Sequence, residues 1–189
     1  MHEVNPDKQL WEFITRCGIN VDSDRPSRSF WTPRISAVER IVIGGSDYHF
    51  TQLDYCDGDE VEASRMVAEI LPGNRTELAW WSEDAPRKTL DIHKGRCEMV
   101  VSNPIEQTTR IIESEMNGKY GHTMELPPGV FYTLRAPIDS TETLVISGYY
   151  NQPLGEWSDL EKVIDPGQRI VQTSDGPISV PKSFIELFS

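Results

Sequence analysis

The sequence predicts an all-β protein: an antiparallel barrel or sandwich with a short N-terminal helix and a minor helix near the C-terminus. Two patterns carry this. From about Val38 onward, short runs rich in β-branched and aromatic residues recur at near-regular spacing: 40–43, 48–55, 61–71, 76–81, 89–93, 97–102, 108–114, 131–136 and 143–150. Between them sit turn signals: Gly44-Gly45, Asp57-Gly58-Asp59, Pro72-Gly73, Lys94-Gly95, Asn117-Gly118 and Pro127-Pro128-Gly129. Many short strands punctuated in this way build sandwiches and barrels. The chain of 189 residues suits one domain with short extensions and is long enough to bury its own core.

Along the chain, Asn5 can cap a helix over 5–17, with Pro6 at its first position and Leu10, Trp11 and Ile14 as its apolar face. Gly18 closes it. The stretch from 22 to 34, with Pro26 and Pro33, reads as irregular chain wrapping the domain, so residues 1–37 form an N-terminal segment and 38–189 the barrel with its C-terminal extension. Ser158 can cap a second helix carrying Leu160, Val163 and Ile164, stopped by Asp165-Pro166-Gly167. The runs 170–172 and 178–180 flank Ser174-Asp175-Gly176 as a late hairpin.

Charge and cysteine usage narrow the function. A net charge of −12 repels phosphate and anionic headgroups, so neither nucleic acid nor a membrane surface is an expected partner. No apolar run is long enough to span a membrane. The first residues lack a basic and an apolar region of the secretory type. Cys17, Cys56 and Cys97 are scattered and odd in number, which fits a reducing cytoplasm. His2, His49, His93 and His122 are dispersed, and the acidic run Asp57 to Glu60 reads as a solvated turn.

The stretch Gly121-His122-Thr123-Met124-Glu125-Leu126-Pro127-Pro128-Gly129-Val130-Phe131-Tyr132-Thr133-Leu134-Arg135-Ala136 resembles the second motif of the cupin superfamily, G-x5-P-x-G-x2-H-x3-N. Gly121, Pro127 and Gly129 keep its spacing. Tyr132 stands where the family has its metal-binding histidine, and Ala136 where it has asparagine. Upstream, the stretch from Gly73 to Gly95 is similar to the first motif, G-x5-H-x-H-x3,4-E-x6-G, with a longer central gap. Ala79 and Trp81 stand at its two histidines and Lys88 at its glutamate. The resemblance implies a cupin-type antiparallel β-barrel, a jelly roll. It also implies a homodimer, with the segment 27–34, including Phe30 and Trp31, available to cover an edge. Ala79 and Trp81 offer no lone pair to a metal, so the expectation is a metal-free cupin without a cofactor.

Strand alternation then names the lumen. If the matched positions point inward, so do Glu77, Leu90, Ile92, Val130 and Leu134, while Asp91 and His93 point out. Trp80 and Trp81 face opposite ways, Trp80 onto an outer face, under the N-terminal segment or at a dimer contact. An apolar cavity with three polar groups, Glu77, Lys88 and Tyr132, suits a small apolar or aromatic substrate. These three are the candidate catalytic residues, and Trp81, Ala79, Leu90 and Leu134 the candidate substrate wall.

Lys88 can serve as a base with a pKa lowered by burial, unless Glu77 pairs with it, or as a cation facing an enolate. Alternatively it is a solvated strand end beside Arg87. Tyr132 is an acid or oxyanion donor, or a core tyrosine bonded to a backbone carbonyl. Glu77 is a base, or a strand-end carboxylate in water. Two functions follow: a metal-independent isomerase, epimerase or cyclase working by acid–base chemistry, as in natural-product biosynthesis, or a non-catalytic small-molecule-binding barrel. Convergence of the three polar groups separates them.

Overall fold

The computed structural model describes residues 6–19, 32–43, 45–116, 123–150, 160–174 and 176–188. Helix α1 (Pro6–Cys17) precedes ten strands: β1 (Thr32–Ile43), β2 (Ser46–Asp57), β3 (Glu60–Ile70), β4 (Leu78–Trp81), β5 (Lys88–Lys94), β6 (Arg96–Asn103), β7 (Thr108–Glu115), β8 (Thr123–Leu126), β9 (Val130–Arg135) and β10 (Leu144–Tyr150). Three short strands follow, β11 (Glu161–Ile164), β12 (Ile170–Thr173) and β13 (Gly176–Ser179), then helix α2 (Lys182–Glu186). Six strands form one antiparallel sheet in the order β1-β2-β3-β10-β5-β8, and five form the other, β11-β4-β9-β6-β7. The late hairpin is present as β12–β13.

The sheets face each other across the main core. Trp81, Leu90, Ile92, Met99, Val130, Tyr132, Leu134 and Ile146 all belong to it, so the inward parity expected for β4, β5 and β9 is the one observed. The corner at Pro127-Pro128-Gly129 sets the entry into β9. Gly129 sits at φ +73°, a conformation open to glycine, and its N–H donates to the Trp81 carbonyl at 2.9 Å.

Helix α1 covers the outer face of the six-stranded sheet. Phe13, Ile14 and Cys17 pack on Leu53, Val67 and Val145, and Arg16 grips Glu69 with two 3.1 Å hydrogen bonds. Leu10, Ile14 and Cys17 share one face at helical spacing, and Trp11, a residue further round, is 70% exposed. Trp11 is therefore not part of the buried face.

Three further expectations change. The second helix does not form at 158–164: residues 161–164 are β11, paired with β4 in the register Glu161↔Trp81 to Ile164↔Leu78. Val163 and Ile164 are β-branched and gain more as an added strand beside β4 than as one helical turn. The minor C-terminal helix is instead α2, which with the β12–β13 hairpin covers the outer face of the five-stranded sheet. Trp80, Phe131 and Phe184 pack there, so Trp80 lies under the C-terminal rather than the N-terminal segment. Strand β1 already begins at Thr32, so residues 32–37 belong to the sheet. The Asn5 and Ser158 caps, Phe30, Trp31, Asn117-Gly118, Gly121 and His122 lie outside the described residues. Among those described, no helix is long and apolar enough to cross a membrane.

Candidate active site

Between the sheets lies a cavity of about 120 Å³ whose lining includes Tyr48, Glu77, Lys88, Tyr132, Tyr150 and Glu161. The three polar residues singled out from the sequence converge here. Ala79, Leu90 and Leu134 line the same space. Trp81, fully buried, stands behind Lys88 with its ring centroid 5.1 Å from Nζ. His49 is exposed, and His93 faces outward to the Ser147 hydroxyl at 2.7 Å.

Glu161 is the residue that sequence reasoning missed. It enters from β11, the segment read as a helix. Its Oε1 accepts the Tyr132 hydroxyl proton in a short hydrogen bond, and its Oε2 lies 3.4 Å from Lys88 Nζ. The opposite carboxylate, Glu77, accepts the Tyr48 hydroxyl on Oε2 at 2.5 Å. Among the described residues its Oε1 takes no hydrogen bond. Both polar links cross the barrel: Lys88 and Tyr48 come from the six-stranded sheet, Glu161 and Glu77 from the side of β4. The apolar wall raises the strength of such charge-assisted bonds, because little water competes for them.

This arrangement corrects the expected role of Lys88. Burial by itself lowers an ammonium pKa, but Glu161 and then Tyr150 outweigh it, and the net shift is upward. At neutral pH Lys88 is a fixed cation, not a base, and its partner is Glu161 rather than Glu77. Tyr132 bonds to a carboxylate rather than to a backbone carbonyl. Its hydroxyl is held protonated, well above the usual phenol range, by burial and then by Glu161. Tyr48 is raised by burial and its bond to Glu77. Tyr150 is pushed up to about 12 by burial, with Lys88 opposing and Glu161 adding.

One pH dependence follows. Lys88 and the three tyrosines each hold a proton more tightly folded than unfolded. The stability they contribute is complete below their unfolded values, near pH ~10, and is lost as pH rises through the folded ones. The buried Cys17 and Cys97 thiols, pushed up to about 12 by burial, add the same sign from their lower unfolded value, so the urea midpoint should stay level to about pH 9 and fall ever more steeply above it. Ionisation of Tyr48, Tyr132 and Tyr150 should appear together with unfolding, and a midpoint that stays level through the tyrosine range would contradict the assigned protonation.

The residues do not fit the metal that the family positions hold. Ala79 has no donor atom. The Trp81 indole N–H donates to the Pro86 carbonyl at 2.9 Å. Lys88 is an ion-paired ammonium, and the Tyr132 hydroxyl is committed to Glu161. Among the described residues no cluster of three or more His, Cys, Asp or Glu side chains is poised around an ion.

No protein-family model matches the sequence, and no curated protein matches it. Solved structures are similar in fold. They include Lactobacillus farciminis oxalate decarboxylase in a formate complex, at 15% identity and TM-score 0.45 over 61% of this chain and 31% of that one. CapF with an inhibitor matches at 13% and 0.46, over 68% of this chain and 34% of its own. The Drosophila melanogaster CENP-C cupin domain matches at 13% and 0.44, over 77% and 98%. The chain thus spans about a third of the length of the oxalate decarboxylase and CapF structures. The fold stands on this chain's own strand order and register, in which Ala79 of the first motif pairs directly with Tyr132 of the second. The chain thus has an antiparallel jelly-roll fold of the cupin type, and Ala79, Trp81, Lys88 and Tyr132, the positions that resemble the superfamily's ligand sites in sequence, all point into its core or cavity.

Proposed function

We propose that the cavity is a metal-independent acid–base site of the isomerase or cyclase type, acting on a small neutral carbonyl compound. The observation that carries this is Glu77: a carboxylate that faces the same cavity as a tyrosine hydroxyl and a fixed ammonium. Glu77 takes a proton from the carbon beside the carbonyl. The electron pair moves onto the carbonyl oxygen close to the Lys88 charge, and the Tyr132 hydroxyl donates to that oxygen by turning away from Glu161, its partner in the empty cavity. In a β,γ-unsaturated ketone the enolate is conjugated, so returning the same proton to the γ-carbon completes a double-bond isomerisation and needs no oxidant or reductant. The size of the cavity favours a ligand of about the bulk of benzene, which fits an apolar cavity of roughly 150 Å³.

Proton removal can be detected before the natural substrate is known. A panel of cyclic and open-chain ketones and enones is incubated with the protein in deuterium oxide, and deuterium entry beside the carbonyl is followed by NMR. The expected result is protein-dependent exchange on at least one compound. Glu77→Gln should lower it by about 100-fold or more, and Tyr132→Phe by about 100- to 1,000-fold. Exchange no faster than in buffer, or unchanged in Glu77→Gln, would overturn the catalytic reading. Saturable binding of the same compounds without exchange would support the non-catalytic small-molecule-binding barrel.

A further inference from the structure

The surroundings of Lys88 have the composition of a receptor for an organic cation. Its Nζ lies 4.7 Å from the centroid of the Tyr150 ring, 5.1 Å from that of Trp81 and 6.0 Å from that of Tyr132. All three are within the range in which a ring face attracts a cation. The carboxylate of Glu161 completes the enclosure at 3.4 Å. The side chain is 8% exposed. The neighbouring strand β10 is cut away for it: a Cβ added at Gly148 would stand 2.9 Å from Lys88 Cε and 3.8 Å from Nζ. Aromatic faces and one carboxylate around a buried ammonium are the chemistry by which amines and methylated amines are recognised.

We propose that Trp81, Tyr132, Tyr150 and Glu161 form an organic-ammonium site that the chain's own Lys88 occupies. The lysine is then an internal ligand, delivered from the six-stranded sheet to a carboxylate on the edge of the other. In the native protein the site is filled, so free amines gain nothing there and the remaining cavity is left to neutral ligands. Removing the lysine side chain opens a receptor for a small primary ammonium ion. The site is independent of whether Glu77 is catalytic, and its test reads folding stability rather than turnover.

In Lys88→Ala the deleted atoms, Cγ through Nζ, are those of propylammonium. Urea unfolding of wild type and Lys88→Ala is compared in propylammonium chloride, in sodium chloride at equal ionic strength, and in 1-propanol. Lys88→Ala should unfold at lower urea and recover saturably with propylammonium alone. At ten times its dissociation constant the ligand should raise the folding constant about elevenfold. Wild type, and Lys88→Met with the space refilled by an uncharged chain, should show no such response. Equal recovery in 1-propanol or sodium chloride, or none in any, would overturn the proposal. If Lys88→Ala does not fold alone, refolding from urea in the same three additives gives the same reading: folded protein with propylammonium only supports the site, and any other pattern overturns it.

Discussion

Glu161→Gln should destabilise the protein by about 3 kcal/mol, measured by urea unfolding at neutral pH. The cause is the charge left behind. Glu161 is the carboxylate against Lys88, and with it neutralised a nearly buried ammonium keeps only aromatic faces and phenols for company. Removing one partner of a buried pair costs about 3–5 kcal/mol, and the 30% exposure of Glu161 places this case at the low end. The double variant Lys88→Met/Glu161→Gln should recover most of the loss, because neither charge is then stranded. Single effects that simply add would show that the two groups do not interact in the folded state.

Trp81→Ala should cost about 4 kcal/mol, in the range for deleting a large buried aromatic. Trp81 is fully buried, its indole holds the Pro86 carbonyl, and its ring lies beside Lys88. The neighbouring Trp80→Ala should cost a similar amount, since Trp80 packs on Phe131 with centroids 4.8 Å apart. The two variants part at the cavity. Trp80 belongs to the outer layer under α2, so its loss should leave binding of neutral probes near the wild-type level. Trp81→Ala should weaken binding at least tenfold by releasing Lys88. The milder Trp81→Phe keeps a ring and gives an intermediate value in both measurements. Equal effects of Trp80→Ala and Trp81→Ala on probe binding would refute the assignment of opposite faces.

That adjacent tryptophans divide between a lumen and an outer layer was legible in the sequence, and so was most of the site. Along a strand, side chains alternate by a local rule. Once the motif match placed Tyr132, Trp81 and Lys88 inward, Leu134, Glu77 and Leu90 followed by parity. The Pro127-Pro128-Gly129 corner and the turn glycines acted over a few residues and marked the strands between them.

What the sequence did not disclose depends on pairing between distant segments. Leu160, Val163 and Ile164 are spaced to serve one face of a helix. Only the open edge of β4, with Trp81 opposite Glu161, makes that segment a strand and turns its first residue inward. The partner of Lys88 therefore lies 73 residues away along the chain. The sequence by itself determined which residues face the lumen, because side-chain direction is a property of each strand. Whether the lysine is a base or a fixed cation was decided only by the tertiary structure, because its pKa depends on which carboxylate the second sheet brings within reach.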